Sequence, residues 1–538
     1  MILHKSPNKD PKLPKSYRPI NLLDVGGKVF EKVLKDLTSE ALYTPLAPEQ
    51  FGFLQGKCTT DAILKLHQTI ENGDLKYIAA LFVDISGAFD NLWWPALLVR
   101  LEEQKIPKHL YDVLKDYLSQ RWVEVQTPLG TYAKPVTKGC PQASVLGPFL
   151  WNLVMDTCIQ RLKPYATEVL AYADDLLVLW QSRSRLHLEE QGRVICRQLQ
   201  EWCELNKLTV APDKSALMVF PIKEPKTFRR QPTVRINGHR IPVVRETVYL
   251  GIRLDLFLHY RSHLRLQTHK AIQAVSRVTS LAKRDYSLTP EKQKILYKGI
   301  FEGIALYACG VWAQRILLKT SGSILLRAQR TALVRLFGAY TDTPLEALTL
   351  ILDEPPAHLT ALFRAAKYHV KRDRPDLSHE LIENYSNLSK SERKEKLVEM
   401  WDAWLRESPK GTFARAIFGN VHNRKRLPWV KPNRAIIRVL SAHGPFRDHL
   451  CRRRLVDSDL CLADSERDTV EHAVFRCRAV PETLKEARMK IQARTLRDII
   501  QDREDWNILS AALADLVQKR ESESLLVRAG IQVAEADS

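Results

Sequence analysis

The sequence predicts an α+β fold for the N-terminal half of this chain and a mostly helical C-terminal region. Residues 1 to about 220 alternate helical stretches with short apolar strands, which is the pattern of an α+β domain. Beyond about residue 255, apolar residues recur at helical spacing with lysines and arginines between them. A chain of 538 residues can bury a large core, and we expect two or three domains rather than one.

An acidic pair interrupts the most apolar stretch of the N-terminal half, residues 169–180. Strand-type residues flank Asp174 and Asp175, so we expect two buried strands joined at Ala173 and Asp174. Two neighbouring anions are costly to desolvate without cations or hydrogen-bond donors, and the pair therefore indicates a metal site. Taken alone, the run is equally compatible with two acids on an exposed turn.

A second predicted strand also ends in a carboxylate. Residues 77–85 form an apolar run whose one charge, Asp84, lies near its C-terminal end. With Asp174 and Asp175 it supplies three carboxylates from two strand ends, enough to hold two divalent ions roughly 3.5 to 4 Å apart. Such ions suit nucleotidyl transfer by in-line displacement, one activating an attacking hydroxyl and the other steadying the leaving pyrophosphate.

The order of several short motifs resembles that of a reverse transcriptase. Phe89 follows Asp84 by five residues, and then come the segments 139–142 and 172–175, which read Gly-Cys-Pro-Gln and Tyr-Ala-Asp-Asp. Over nearly its whole length the chain resembles the polymerases of non-LTR (LINE-like) retrotransposons, most closely an arthropod group that often inserts into repeated genes. Each motif is weak alone, but their joint order and spacing are specific.

The resemblance implies a right-hand polymerase with fingers, palm and thumb. Residues 1–255 would form the fingers and palm, residues 256–375 a helical thumb and connector, and residues 376–538 a helical C-terminal region. The implied activity is that of an RNA-directed DNA polymerase working by target-primed reverse transcription. Its partners would be an RNA template, a nicked DNA target as primer, and deoxynucleoside triphosphates. We expect an N-terminally truncated protein, because the sequence starts inside the fingers, without the endonuclease expected ahead of the polymerase.

Two alternatives stay open. A catalytically silent nucleic-acid-binding remnant of such an element would keep the fold and the charge without turnover. Three departures from the family pattern favour it: the expected N-terminal part is missing, Ala143 stands where a glycine is usual, and Leu54 stands where a basic residue is common. If position 143 needs a positive φ, alanine strains the loop. A group II intron maturase is more distant, and the C-terminal cysteine-histidine array speaks against it.

The resemblance assigns roles to the site residues. Asp84, Asp174 and Asp175 are the expected catalytic residues and ligands of two Mg²⁺ ions, with the backbone carbonyl of Ile85 as an additional ligand. The expected nucleotide-binding residues are Arg18, Lys57, Phe89, Gln142 and Lys214.

Each nucleotide-binding residue has a distinct expected role. Phe89 would lie beneath the sugar and leave no room for a 2′-hydroxyl, although plain core packing is its alternative. Gln142 would lie near the incoming base and the template. Lys214 would approach the pyrophosphate as acid or counter-charge, unless it is an exposed turn lysine. Arg18 and Lys57 would compensate for the missing charge at position 54.

Composition indicates the kind of partner. Lysine and arginine total 82 against 62 acidic residues, which gives a net charge of +20 and a pI near 9.5. Such a charge favours a polyanion, here nucleic acid. We expect no membrane partner, because no apolar run reaches the roughly 18 residues of a spanning helix. Nine irregularly spaced cysteines indicate reduced thiols, and we expect a nuclear and cytoplasmic protein.

The C-terminal region holds a second candidate metal site. Cys461, Asp464, His472 and Cys477 follow the C-x2-C-x7-H-x4-C spacing of a zinc knuckle, except that Asp464 stands at the second cysteine. Zn²⁺ is therefore a candidate second cofactor. Because carboxylate is a less usual structural zinc ligand than thiolate, we expect weak binding. A degenerate knuckle that holds no metal is equally compatible with the sequence.

Overall fold

The computed structural model shows two compact units, Met1–Leu258 and His259–Ser538. The first unit combines strands and helices, and the second is built from helices. The predicted fingers and palm fall in the first unit, and the predicted thumb and C-terminal region fall together in the second, so that their division at residue 375 stays a prediction. The structure describes residues 2–5, 10–13, 16–128, 130–222, 228, 230–285, 288–492 and 495–528.

The main sheet of the first unit has four antiparallel strands in the order β6-β7-β3-β8. Two-stranded sheets pair β1 with β2, β4 with β5, β9 with β10, and β11 with β12. The strands are β1 (Ile2–His4), β2 (Tyr17–Pro19), β3 (Tyr77–Asp84), β4 (Arg121–Thr127), β5 (Gly130–Val136), β6 (Glu168–Tyr172), β7 (Asp175–Ser182), β8 (Ala216–Pro221), β9 (Arg235–Ile236), β10 (His239–Arg240), β11 (Glu246–Tyr249) and β12 (Ile252–Asp255).

The apolar runs predicted from the sequence lie in the middle of the central sheet. Strand β3 pairs with β7 on one side and β8 on the other, and its residues are buried up to Val83. A strand covered on both faces tolerates a charge only at its end, which is where Asp84 stands. Strands β6 and β7 form the predicted hairpin, with Ala173 and Asp174 between them. The prediction of this hairpin is therefore confirmed.

Helices pack around the central sheet and complete the core of the first unit. Helix α6 carries the fully buried Trp151 and Met155, and it contacts α4, α7 and β6. A 3₁₀ turn, Lys163–Tyr165, leads from α6 to β6. The helices of this unit are α1 (Val25–Glu40), α2 (Thr59–Glu71), α3 (Ala88–Asn91), α4 (Trp94–Glu103), α5 (Lys108–Leu118), α6 (Gly147–Leu162) and α7 (Arg185–Leu205).

The hairpin of β11 and β12 docks on the same sheet. Leu250 and Gly251 have φ values of +47° and +81°, as a two-residue hairpin turn requires. The buried Tyr249 ring contacts Phe82 of β3 edge-on, with ring centroids 5.4 Å apart. This contact places the hairpin close to the acidic end of β3.

The second unit is helical, with amphipathic helices around several large buried side chains. Helix α16 begins at a capping box of Ser389 and Glu392 and buries Trp401. Within the described chain, no single helix has the length and apolar character to cross a membrane, whereas one bent pair, Pro290–Ala305 with Cys309–Leu317, meets the test on length and composition alone.

The second unit also holds a 3₁₀ turn (Ala313–Leu317) and π-helical turns (Tyr297–Glu302 and His472–Arg476). Its α-helices are α8 (Arg261–Asp285), α9 (Pro290–Leu296), α10 (Gly303–Ala305), α11 (Cys309–Trp312), α12 (Lys319–Phe337), α13 (Leu345–Leu352), α14 (Ala357–Lys371), α15 (Pro375–Leu381), α16 (Lys390–Glu407), α17 (Thr412–Phe418), α18 (Val421–Lys425), α19 (Arg434–Ser441), α20 (Arg447–Arg452), α21 (Glu482–Lys490), α22 (Leu496–Ile499) and α23 (Arg503–Arg528).

Candidate active site

Asp84 and Asp175 lie directly opposite each other at one end of the central sheet. Strand β3 ends at Asp84, β7 begins at Asp175, and the two residues are register partners in the antiparallel pair. The Cβ atoms of such partners lie about 4.5 to 5.5 Å apart. Asp174 precedes β7 in the hairpin turn. The structure therefore brings the three predicted carboxylates to one sheet end.

Contacts from outside the sheet fix the turn that carries the acidic pair. Residues 49–52 run beside β6 and exchange backbone hydrogen bonds with Ala171. Gly52 lies so close to the turn that a Cβ atom there would meet the Ala173 backbone nitrogen at 2.3 Å. From the other side, the Trp151 indole N–H donates to the Ala173 carbonyl at 2.8 Å. The turn is therefore held between two neighbours.

The acidic cluster carries more negative charge than the nearby cations neutralise. Burial, followed by the charges of Asp174 and Asp84, raises the pKa of Asp175 to about 6. Burial also raises the pKa of Asp174, although Arg18 and Lys214 oppose the rise. The Lys214 ammonium lies 3.4 Å from Asp84 Oδ2. An excess of carboxylate charge of this kind attracts a divalent cation.

The donor set fits a hard cation such as Mg²⁺, because all of its atoms are oxygens. In the bridge that Ile85 forms with Val210, the hydrogen bonds run to the carbonyls of Asp84 and Thr209. The Ile85 carbonyl is left outside this pairing, as its predicted role as a ligand requires. The oxygens of the three carboxylates do not all lie within 4.8 Å of one another, as expected for anions that repel.

A cavity of 710 Å³ opens beside the carboxylates. Its volume is in the range of small-molecule sites. Asp84, Asp174 and the Ile85 backbone segment line it, and so do four of the five predicted nucleotide-binding residues, namely Arg18, Phe89, Gln142 and Lys214.

Lys57 does not line this cavity, and its predicted role toward a nucleotide stays a prediction. Its ammonium donates to the carbonyl of Pro48 and, at 2.9 Å, to that of Gln50, and it lies over the Phe51 ring. Burial lowers the pKa of Lys57. In this structure the side chain binds to its own loop.

The other nucleotide-binding candidates are held by specific contacts. The half-buried ring of Phe89 meets Phe53 edge-on at 5.9 Å between centroids and Trp151 at 5.7 Å. The Gln142 amide donates to Asp90 Oδ1 at 2.7 Å. Both residues border the cavity, and their roles toward a nucleotide stay predictions.

Lys5 and Phe53 are among the residues of the cavity wall that were not predicted as site residues. Lys5 reaches the wall because β1 pairs with β2, and no local signal marks that pairing. Phe53 adopts a φ of +59° directly after Gly52. Ala143, also on the wall, has a φ of +75°. The condition for strain at position 143 is therefore met.

The four knuckle residues come together in the second unit. Potential ligand atoms of Cys461, Asp464, His472 and Cys477 all lie within 4.8 Å of one another. The two Sγ atoms are 3.6 Å apart, and His472 Nε2 lies 3.3 Å from Asp464 Oδ1. His472 is fully buried, and its Nε2 has no hydrogen-bond partner within the described residues. This donor set of two sulfurs, one nitrogen and one carboxylate fits zinc.

Neighbouring side chains orient the knuckle. His472 Nδ1 lies 3.2 Å from Glu466 Oε2, the carboxylate-histidine arrangement that metal-bound histidines use. The buried Arg520 guanidinium donates to Cys477 Sγ at 3.2 Å. The hydrogen bond with Cys477 lowers the pKa of Cys461, which favours its thiolate.

Asp342, His443 and His449 form another tight group in this unit. Asp342 Oδ2 lies 2.9 Å from His449 Nε2 and 3.5 Å from Arg453 Nε. The carboxylate is thus matched by an imidazole and a guanidinium, so the group fits an ion-pair cluster better than a metal site.

An antiparallel sheet that brings three carboxylates to one end, beside a cavity, is the arrangement that the sequence predicts for the palm of a polymerase. Residues 5–254 match the family Reverse transcriptase (RNA-dependent DNA polymerase). Over most of its length the chain is homologous to the polymerases of non-LTR retrotransposons of arthropods, including R1, X-element and jockey proteins. The predicted fold class and the predicted resemblance to these polymerases are confirmed.

Two relatives match over most of this chain. One is a putative 115 kDa protein in the type-1 retrotransposable element R1DM of Drosophila melanogaster, 30% identical over 486 residues, which cover 88% of this chain and 46% of the relative. The other is a retrovirus-related Pol polyprotein from the type-1 element R1 of Bradysia coprophila, 28% identical, with 86% of this chain and 46% of the relative covered. The chain thus spans about half the length of these relatives.

Among solved structures, telomerase from Candida tropicalis in complex with a fragment of telomeric RNA matches with a TM-score of 0.35 and 11% identity. That match covers 69% of this chain and 56% of the telomerase chain.

Proposed function

We propose that this chain is an RNA-directed DNA polymerase of a non-LTR retrotransposon, which works by two-metal nucleotidyl transfer and target-primed reverse transcription. The observation that carries the proposal is the register of Asp84 opposite Asp175, with Asp174 beside them at the cavity. The proposed partners are an RNA template, a DNA primer and deoxynucleoside triphosphates. The net charge of +20 supports salt-dependent binding to these polyanions. Because the target is nuclear DNA and translation is cytoplasmic, the proposal includes both compartments.

The carboxylates of Asp84, Asp174 and Asp175, with the Ile85 carbonyl, would hold Mg²⁺. When bound, Mg²⁺ would activate the 3′-hydroxyl of the primer and neutralise negative charge on the triphosphate. The chain's own contribution is to hold these oxygens at the end of a rigid sheet, so that little reorganisation is needed during the reaction.

The cavity residues have complementary roles in this proposal. Lys214 already contacts Asp84 and stands where it can donate a proton or a counter-charge to the leaving pyrophosphate. Arg18 supplies a bidentate cation for the triphosphate. Phe89, held between Phe53 and Trp151, blocks the space that a ribose 2′-hydroxyl would need.

A silent remnant is not favoured, because the three carboxylates are all retained at one sheet end and two of them, Asp84 and Asp174, line the cavity. The strained Ala143 does not displace its loop from the cavity wall. The proposed polymerase therefore has its candidate machinery in place.

We also propose that Cys461, Asp464, His472 and Cys477 bind zinc. The support is the geometry of the donor set, since potential ligand atoms of the four residues all lie within 4.8 Å of one another and His472 Nδ1 pairs with Glu466. The buried His472 Nε2 faces the Asp464 carboxylate at 3.3 Å, and a metal ion would use both atoms as ligands. The ion would have a structural role, joining the 461–477 segment across its ends.

Primer extension on the purified chain tests the polymerase proposal. We expect Mg²⁺-dependent extension of a DNA primer on an RNA template, and loss of roughly a thousandfold or more in rate for Asp174→Ala, because a charge-neutralising ligand is lost. Asp112→Ala is the matched control, since Asp112 pairs with Lys108 on the surface of α5. Unchanged synthesis by Asp174→Ala, or no synthesis by the unmodified chain with duplex binding intact, would overturn the proposal.

A further inference from the structure

Glu31 is a buried acid that takes no part in the acidic cluster. It lies on the inner side of α1 and is 2% exposed. Its Oε2 accepts hydrogen bonds from the Ser144 hydroxyl at 2.8 Å, the Val145 N–H at 2.7 Å and the Leu146 N–H at 3.3 Å. Its Oε1 accepts from the Tyr117 hydroxyl. One carboxylate thus serves four donors, three of which belong to the same loop.

That loop forms part of the catalytic cavity. Residues 141–144 line the cavity beside the carboxylates and lead directly into α6. The Ser144 hydroxyl, which donates to Glu31, accepts the Gly147 N–H at 2.9 Å. Glu31 also accepts the N–H of Leu146, the residue directly before α6, where the helix dipole favours an anion. Glu31 therefore joins α1 to the start of α6 through the loop.

The loop needs such support because it contains a strained residue. Ala143 has a φ of +75°, which alanine rarely adopts. A residue in this conformation persists only when its surroundings determine it. On one side, the Gln142 carbonyl accepts the Asn21 N–H at 3.0 Å. On the other side the anchor is Glu31, through Ser144 and Val145.

We propose that Glu31 is a positioning residue for the incoming nucleotide. It holds the 142–144 loop, including its strained alanine, in the conformation that shapes the nucleotide side of the cavity. Glu31 itself touches no substrate. The proposal rests on the polymerase function, and it predicts that changes at Glu31 alter the KM for deoxynucleotides more than kcat.

Glu31→Ala, Glu31→Gln and the double variant Glu31→Ala/Ala143→Gly test this role. Alanine leaves buried donors without an acceptor, and we expect the KM to rise roughly tenfold or more. Glutamine keeps an acceptor oxygen for the loop and an amide for Tyr117, so it should restore most of the affinity. Glycine at position 143 adopts a positive φ without strain, so the double variant should have a lower KM than Glu31→Ala.

Thr38→Val is the matched control. Thr38 is buried on the same helix, and its hydroxyl bonds only to the Leu34 carbonyl one turn earlier. If Glu31→Ala lowers the melting temperature but leaves the KM as in Thr38→Val, Glu31 is merely structural and the proposal is wrong. If Glu31→Ala does not fold, Ser144→Ala breaks the same connection from the loop side, and an unchanged KM there refutes the proposal.

A binding measurement separates this inference from the polymerase proposal. Affinity for a fluorescent deoxynucleotide triphosphate in the presence of Mg²⁺ reports on the cavity without requiring turnover. If the unmodified chain binds the analogue without extending primers, the polymerase proposal fails, and a weaker affinity in Glu31→Ala still supports the positioning role. Equal affinity in the unmodified chain and in Glu31→Ala overturns it.

Discussion

Gly52→Ala should disable catalysis although it adds only a methyl group outside the sheet. The new Cβ would stand 2.3 Å from the Ala173 nitrogen and 3.0 Å from the Tyr172 carbonyl carbon, whereas real Cβ contacts essentially never fall below 3.0 Å. Backbone atoms cannot rotate away, so the turn must retreat by at least about 0.7 Å. A displacement near 1 Å at reacting groups costs on the order of a hundredfold in rate. We therefore expect kcat to fall about a hundredfold.

Single-turnover primer extension measures this effect, with thermal unfolding as the check on folding. Gly26→Ala is the control, because its Cβ would meet only a carboxylate oxygen at 3.5 Å and alanine is favoured within α1. Since the turn moves but the carboxylates remain, duplex binding should persist. A Gly52→Ala rate within about threefold of the unmodified chain would refute the argument that this contact sets the position of Asp174.

The remaining predictions concern protons, sugar choice and zinc. The pKa of Asp175 is raised to about 6, so the folded chain binds more protons than the unfolded chain between roughly pH 4 and 6. Stability without metal should fall as pH rises through that window, and thermal unfolding in a chelator should show a smaller fall for Asp175→Asn, in which only the raised pKa of Asp174 remains at the cluster. Protons should compete with Mg²⁺, so that the Mg²⁺ concentration for half-maximal synthesis rises about tenfold from pH 7 to pH 5; a constant value would contradict the role of Asp175. Phe89→Val should raise ribonucleotide incorporation relative to deoxynucleotide, and an unchanged ratio of the two kcat/KM values would refute the steric role. If the zinc site is weak, as the sequence predicts, Asp464→Cys should raise its zinc affinity and the thermal stability of the chain. The opposite result would be that the unmodified chain keeps stoichiometric zinc against a strong chelator and the variant gains nothing. That result would show that Asp464 is a competent ligand.

The central sheet and its acidic end could be predicted because the signals lie within short, continuous segments of the sequence. Apolar runs as long as β3 and β7 must be buried, and a buried strand can carry an acid only at its end. Asp84 and the pair at 174–175 therefore marked both the strand ends and the site. Short exposed pairings such as β9 with β10 have no such pattern, since two-residue strands carry no periodicity.

The directions of long side chains could not be predicted in the same way. Lys57 carries the right charge in the right segment, but carbonyls seven and nine residues earlier in the chain bind its ammonium. Lys5 reaches the cavity through a strand pairing with no sequence signal. At the knuckle, the sequence spacing predicts which residues could be ligands. It does not predict the contact between His472 and Glu466, which orients the imidazole ring.

The residues that hold the site in position belong to no motif that marks them in the sequence. A hairpin turn is the least constrained part of a sheet, yet two-metal transfer needs its carboxylates held to a fraction of an ångström. Gly52 and Trp151 supply this restraint at Ala173, and Glu31 supplies it at the loop across the cavity. Since these residues touch neither metal nor nucleotide, their variants should lose rate or nucleotide affinity while duplex binding persists. A chain that keeps all three aspartates but loses these supporting contacts would bind its template without extending a primer. The proposed polymerase activity therefore depends on the supporting residues as much as on the aspartates.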